Sequence, residues 1–138
     1  MPLWGCPNCK RTFKSTNQYH SCYVMDKTYH TKKMNEKVQI VFEAILSHLK
    51  NFEAIDIIFL KTRVQINTNS TFLSITTKRD RIELEFQLDR EDDFFPIFIC
   101  QRISKNRVLH RITLSELSEF DNQVKIWIKD AYDLINKR

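Results

Sequence analysis

From residue 34 the chain carries a helical period. Met34, Val38, Val41, Phe42, Ile45, Leu46 and Leu49 recur at every third or fourth position, the spacing that lines apolar side chains along one helix face. Glu36, Lys37, Glu43, Ser47 and Lys50 fall off that stripe, and Asn35 stands where a capping side chain belongs. The period changes after Asn51. Ile55-Asp56-Ile57-Ile58-Phe59-Leu60 is short, apolar and rich in β-branched residues, as in a buried strand, and residues 61–66 read as its extended continuation. Asn67-Thr68-Asn69-Ser70 marks a turn. Residues 71–77 and 81–88 then read as a hairpin around Lys78-Arg79-Asp80. In its second strand Ile82, Leu84, Phe86 and Leu88 alternate with Arg81, Glu83, Glu85 and Gln87, which predicts a sheet with one wet face. A charged loop at residues 89–93 follows, then strands over 97–103 and 107–113. Val124, Trp127, Ile128, Ala131, Leu134 and Ile135 restore the helical period, with Asp121 as its cap. Helices segregated from strands indicate an α+β domain over residues 34–138, built as a helix, about five antiparallel strands and a helix.

The first 23 residues obey neither period. Cys6, Cys9, His20 and Cys22 form C-x2-C-x10-H-x-C. Three cysteines and one histidine are a closed ligand set for one structural zinc ion, whereas catalytic zinc keeps a position open for water. Cys6-Pro7-Asn8-Cys9 offers two thiolates from one turn. His20 and Cys22 alternate in an extended segment and so project to one side. A disulfide framework is disfavoured by the odd number of cysteines in the segment and by an N-terminus, MPLWGCPNCK, without an apolar run. Residues 1–23 are expected to form a small zinc module packed on the sheet, and polar residues 24–33 a linker. His30 is a spare imidazole near the ligand set and is read as a solvated linker residue. Cys100 lies in an apolar run and is read as packing.

Charge sharpens this division. Residues 1–33 hold Lys10, Arg11, Lys14, Lys27, Lys32 and Lys33 against Asp26 alone, a net of +5, and the remainder of the chain holds sixteen basic and sixteen acidic side chains. A basic segment bearing Lys10, Arg11 and Lys14 among aromatic residues suits a phosphate backbone, single-stranded bases or an acidic protein. Gly5 is the only glycine, so the glycine-rich loops of P-loop and Rossmann nucleotide sites are excluded. No apolar run approaches membrane-spanning length, which points to a soluble, cytoplasmic protein without a membrane partner.

Two further groups carry possible chemistry. Lys61, Arg63 and Gln65 alternate along one predicted strand, and His110 sits on another. Were these faces to coincide, Lys61, Arg63 and His110 would form a basic pocket for a phosphate or carboxylate. Glu83 and Glu85 share a face with Arg81 and read as a salt-bridged surface. The strand lacks the lysine that a carboxylate-x-lysine nuclease site requires. The loop Glu91-Asp92-Asp93 reads as solvated.

The stretch Trp4-Gly5-Cys6-Pro7-Asn8-Cys9-Lys10-Arg11-Thr12-Phe13, with Asn17-Gln18-Tyr19-His20-Ser21-Cys22, resembles the N-terminal zinc motif W-x-C-P-x-C-x-R-x-F…N-Q-x-H-x-C. That motif precedes the family called domain of unknown function 5655. The body is similar to the same family at Lys61-Thr62-Arg63-Val64, at residues 81–88, at Asn106-Arg107-Val108-Leu109-His110-Arg111, and at Trp127 with Ala131-Tyr132. The resemblance implies a small α+β domain with no assigned reaction. Its members sometimes accompany nuclease-like domains, which inclines the reading toward nucleic acid. The sequence thus predicts a zinc-binding, non-catalytic binding or adaptor module. The alternative is a small-ligand domain or enzyme using the Lys61, Arg63 and His110 face, with zinc as a folding staple.

Overall fold

The computed structural model describes residues 26–136, together with the backbone of a short strand pair nearer the N-terminus. That pair is β1 (Trp4–Gly5) and β2 (Thr12–Phe13), joined antiparallel with Trp4 opposite Phe13 and Gly5 opposite Thr12. The predicted zinc ligands Cys6, Cys9, His20 and Cys22, and the basic side chains of Lys10, Arg11 and Lys14, lie outside the described residues.

Two helices pack against one antiparallel sheet. Helix α1 (Lys27–Thr31) and helix α2 (Glu36–Leu49) precede the strands β3 (Asp56–Phe59), β4 (Arg63–Asn67), β5 (Thr71–Thr77), β6 (Ile82–Leu88), β7 (Ile99–Ser104) and β8 (Arg107–Leu114). A 3-10 turn (Leu117–Glu119) leads into α3 (Asn122–Asn136). The strand order is β3-β4-β5-β6-β8-β7, so the loop after β6 passes β8 to reach the sheet edge, and β8 returns between them. Register assigns the faces. Val64, Ile75, Leu84 and Ile112 are successive cross-strand partners and are fully buried. One residue out of step, Arg63, Thr76, Glu83 and Thr113 make the next row on the opposite face, because strand side chains alternate. The helical stripes cover the first face: Val38, Val41, Phe42, Ile45 and Leu49 of α2 and Val124, Trp127, Ile128 and Ala131 of α3 belong to one core with the strand residues. Both predicted caps are present, with Asn35 accepting from the Val38 N–H at 2.9 Å and Asp121 from the Val124 N–H at 3.1 Å. Among the described residues, no helix is long and apolar enough to cross a membrane.

Two elements and one side chain differ from the sequence reading. Residues 61–66 do not continue the preceding strand. The chain reverses, with the Leu60 N–H donating to the Arg63 carbonyl at 2.8 Å, and β3 and β4 pair as a hairpin. The sheet therefore has six strands, and Lys61 lies in a turn. The reversal Leu60-Lys61-Thr62-Arg63 contains no glycine, proline, asparagine or aspartate to announce it. What rewards it is apolar pairing, Ile57 against Ile66 and Phe59 against Val64. The expected linker carries α1, whose N-terminus is capped by Asp26 accepting from the Tyr29 N–H at 3.0 Å. Five residues are too few to show a period. His30, on this helix, is fully buried and not a solvated linker residue.

Candidate functional site

The predicted Lys61, Arg63 and His110 pocket is not assembled. β4 and β8 are separated by β5 and β6, three inter-strand steps or about 14 Å. Arg63 is exposed at the start of β4, on the face opposite the core. His110 stands across from Phe86 and Cys100, on the core side, and is fully buried. A basic face built from these three residues is thus ruled out by strand order and register. Glu83 and Glu85 form the salt-bridged surface expected of them, Glu85 meeting Arg111 at 2.7 Å and Glu83 meeting Arg81 at 3.9 Å.

His110 serves the core. Its Nε2 accepts from the Asp92 backbone N–H at 3.0 Å, which places the ring proton on Nδ1, donating to the Val108 carbonyl at 3.0 Å. The ring lies parallel to Phe86 with centroids 5.6 Å apart. Asp92 is tied in at its other end: it accepts from Trp127 Nε1 at 2.9 Å and from Arg90 Nε at 3.1 Å, while Arg90 also reaches Asp130 at 2.8 Å. The acidic loop read as solvated is therefore anchored through Asp92. Cys100 Sγ sits 3.6 Å from His110 Nε2, the geometry in which a nucleophilic dyad would be sought. Its surroundings oppose activation. Burial pushes the thiol pKa up, and Asp93, Glu91 and Asp92 push it further, so the sulfur stays protonated at neutral pH.

His30 is equally committed. Nε2 lies 2.6 Å from the Leu60 carbonyl and Nδ1 2.6 Å from Thr77 Oγ1. A carbonyl only accepts, so Nε2 carries the proton and Nδ1 accepts from the threonine hydroxyl. Among the described residues, no cluster of three or more His, Cys, Asp or Glu could hold a metal ion.

A concave feature among the described residues lies elsewhere. A groove of about 810 Å³ runs between the end of α2 with its following loop and the outer side of α3. Phe52, Ile126 and Tyr132 give its lining an apolar part, with Lys125 and Lys129 balanced by Glu53 and Asp130. Phe52 packs against Tyr132 with centroids 4.9 Å apart, and the Tyr132 hydroxyl donates to the Glu53 carbonyl at 2.7 Å. His48 lines the groove between the rings of Phe52 and Phe120, at 5.6 and 5.7 Å. Burial first, and the charge of Lys125 second, lower its pKa and keep the imidazole neutral. Its Nε2 is buried and has no hydrogen-bond partner among the described residues. The sequence reading missed this groove. Its one available signal was Ile126, an apolar residue on the otherwise polar stripe Asn122, Lys125, Lys129 of α3.

No curated protein and no solved structure matches the chain. A family profile described as Domain of unknown function (DUF5655) matches residues 25–135, and by that match, over most of its length, the chain belongs to the family.

Proposed function

We propose that the protein is a non-catalytic binding or adaptor module whose basic N-terminal segment, folded around one structural zinc ion, contacts nucleic acid. One observation carries the reading: the entire positive excess of the chain lies in residues 1–33, and the remainder is charge-neutral. Such a segment attracts a polyanion by counterion release without calling on the body. The zinc part rests on the C-x2-C-x10-H-x-C spacing. It is supported by the β1–β2 pair, whose strands stand immediately before Cys6 and shortly after Cys9 in sequence. The family match begins at residue 25 and does not bear on this segment. A reducing compartment, the cytoplasm, suits three thiolates kept for a metal. Absence of catalysis is supported by His30 and His110 being held in structural hydrogen bonds and by the protonated Cys100 thiol.

The test is fluorescence polarisation with a labelled single-stranded oligonucleotide at several salt concentrations. Replacing Lys10, Arg11 and Lys14 together by alanine is expected to weaken binding and to lower the slope of log K against log salt by about 2, three lost phosphate contacts at about 0.7 each. Metal analysis of the same preparation should return about one zinc per chain. Wild-type protein that binds no oligonucleotide at low salt sinks the nucleic-acid reading, and retention of an acidic protein instead would reassign the partner. Metal-free protein with an unchanged N-terminal amide spectrum sinks the zinc reading.

A further inference from the structure

We propose that the groove between the end of α2 and the outer side of α3 binds a small organic anion, its flat apolar body on Phe52, Ile126 and Tyr132 and its carboxylate or phosphate at Lys125. Size is the first argument. About 810 Å³ falls within the range of small-molecule sites, which pair an apolar floor with a few polar groups.

Charge is the second. The other charged groups of the walls are mostly engaged: Lys129 meets Asp133 at 2.7 Å, and Asp130 meets Arg90 at 2.8 Å. Lys125 has no carboxylate within ion-pair distance among the described residues. Its ammonium lies 5.3 Å from the centre of the Phe120 ring, beside His48. Glu53 also lines the groove and opposes an anion, so the anionic group is placed at Lys125, away from that carboxylate.

The third argument is what the groove leaves unresolved internally. Buried polar atoms are nearly always hydrogen-bonded, yet His48 Nε2 is not. A neutral imidazole can give or take one further hydrogen bond at Nε2, and because that atom is shielded from solvent a ligand meets it only when the ring turns toward the groove. Next to Glu53, Ala54 has φ of 54°, in the left-handed region that disfavours a residue with a Cβ. Strained backbone of this kind persists where surrounding contacts over-determine it, and sites are where it collects. The contact here is the Tyr132 hydroxyl on the Glu53 carbonyl. The groove is also distant from α1. The α2 N-terminus is held to the Arg79 carbonyl at the β5–β6 turn, and the groove lies at the other end of this fourteen-residue helix, which is about 21 Å long.

Titration of the labelled full chain with phenyl phosphate and with benzoate, followed by amide and imidazole NMR, tests the site. Both are expected to produce saturable shifts at Asn51, Phe52 and Ile126 and at the His48 ring. Inorganic phosphate and benzyl alcohol, each carrying half of the recognition, should bind at least about tenfold more weakly. Lys125→Ala should weaken phenyl phosphate by about tenfold, and Lys125→Arg should restore most of the loss. The unperturbed spectrum of each variant verifies its fold. Three results would overturn the site: no saturable shift from either aromatic anion up to about 10 mM, benzylamine binding more tightly than benzoate, or Lys125→Ala binding like wild type.

Discussion

Replacing Trp127 by alanine is expected to lower the unfolding free energy by about 3–5 kcal/mol, the range for emptying a large aromatic site in a core. Trp127 is fully buried, stacked on Phe86 at 5.8 Å and against Phe94 at 5.5 Å. Its indole N–H also donates to Asp92, so the substitution removes packing and releases the loop before β7 together. The two losses can be separated. Trp127→Phe keeps most of the ring volume and deletes the donor, which should cost about 1.5–3 kcal/mol for a hydrogen bond to a carboxylate. Asp92→Ala deletes the acceptor. If the indole–carboxylate bond matters, the two changes combined should cost less than the sum of the single effects by 0.5 kcal/mol or more. Urea denaturation followed by far-UV circular dichroism measures the wild type and all four variants. An unchanged midpoint for Trp127→Ala would contradict the packing account, and strict additivity of Trp127→Phe with Asp92→Ala would contradict the bond.

This network marks the boundary of what the sequence made legible. Periodicity placed α2 and α3, both caps and most strands, because burial on one face is recorded directly in residue order. It also put Trp127 in the core. It could not show that Trp127 reaches Asp92, since their meeting depends on where a loop crosses the sheet edge. The same limit explains the false pocket. Lys61, Arg63 and His110 looked alike as basic residues near strands, but a turn without turn residues displaced Lys61, strand order set His110 three strands away from Arg63, and register put it on the opposite face. His30 went astray for a different reason. A five-residue helix leaves no period, so its burial was invisible until Phe42, Phe59, Leu60 and Thr77 were seen to surround it. The groove was hardest to foresee, because it joins residues from two helices and a loop, and only Ile126 breaks the local pattern.

Stability should also fall on mild acidification, beginning just below pH 6.5. His30 and His110 are both fully buried, and burial is the main cause that lowers each pKa from 6.5. The Leu60 carbonyl acts against this at His30, and the Val108 carbonyl at His110. Around His110, Asp92 and Asp93 favour the charged ring, whereas Arg90 opposes it. Above pH 6.5 the rings are neutral in both folded and unfolded chains, and neither contributes a pH dependence. As pH falls below 6.5 the unfolded chain takes up protons that the folded one refuses, so the unfolded state gains. Each ring then contributes up to about 1.4 kcal/mol per pH unit until its folded pKa is reached. His110 is the less tolerant of the two. A proton on Nε2 would face the Asp92 N–H, two donors in opposition, whereas the Thr77 hydroxyl beside His30 can rotate to accept. Glu119 titrates in a separate window. Burial alone would raise its pKa, but hydrogen bonds from Ser115 and the Glu116 N–H hold it low, so its contribution is lost only below pH 4.5. Urea unfolding at intervals between pH 7.5 and 5 should show the loss, and His110→Phe should be less stable at pH 7.5 yet flatter across the interval. Imidazole resonances of the native protein provide the decisive reading. If His30 and His110 both titrate at or above pH 6.5, or if stability is level down to pH 5, the buried neutral rings described here do not govern the acid response.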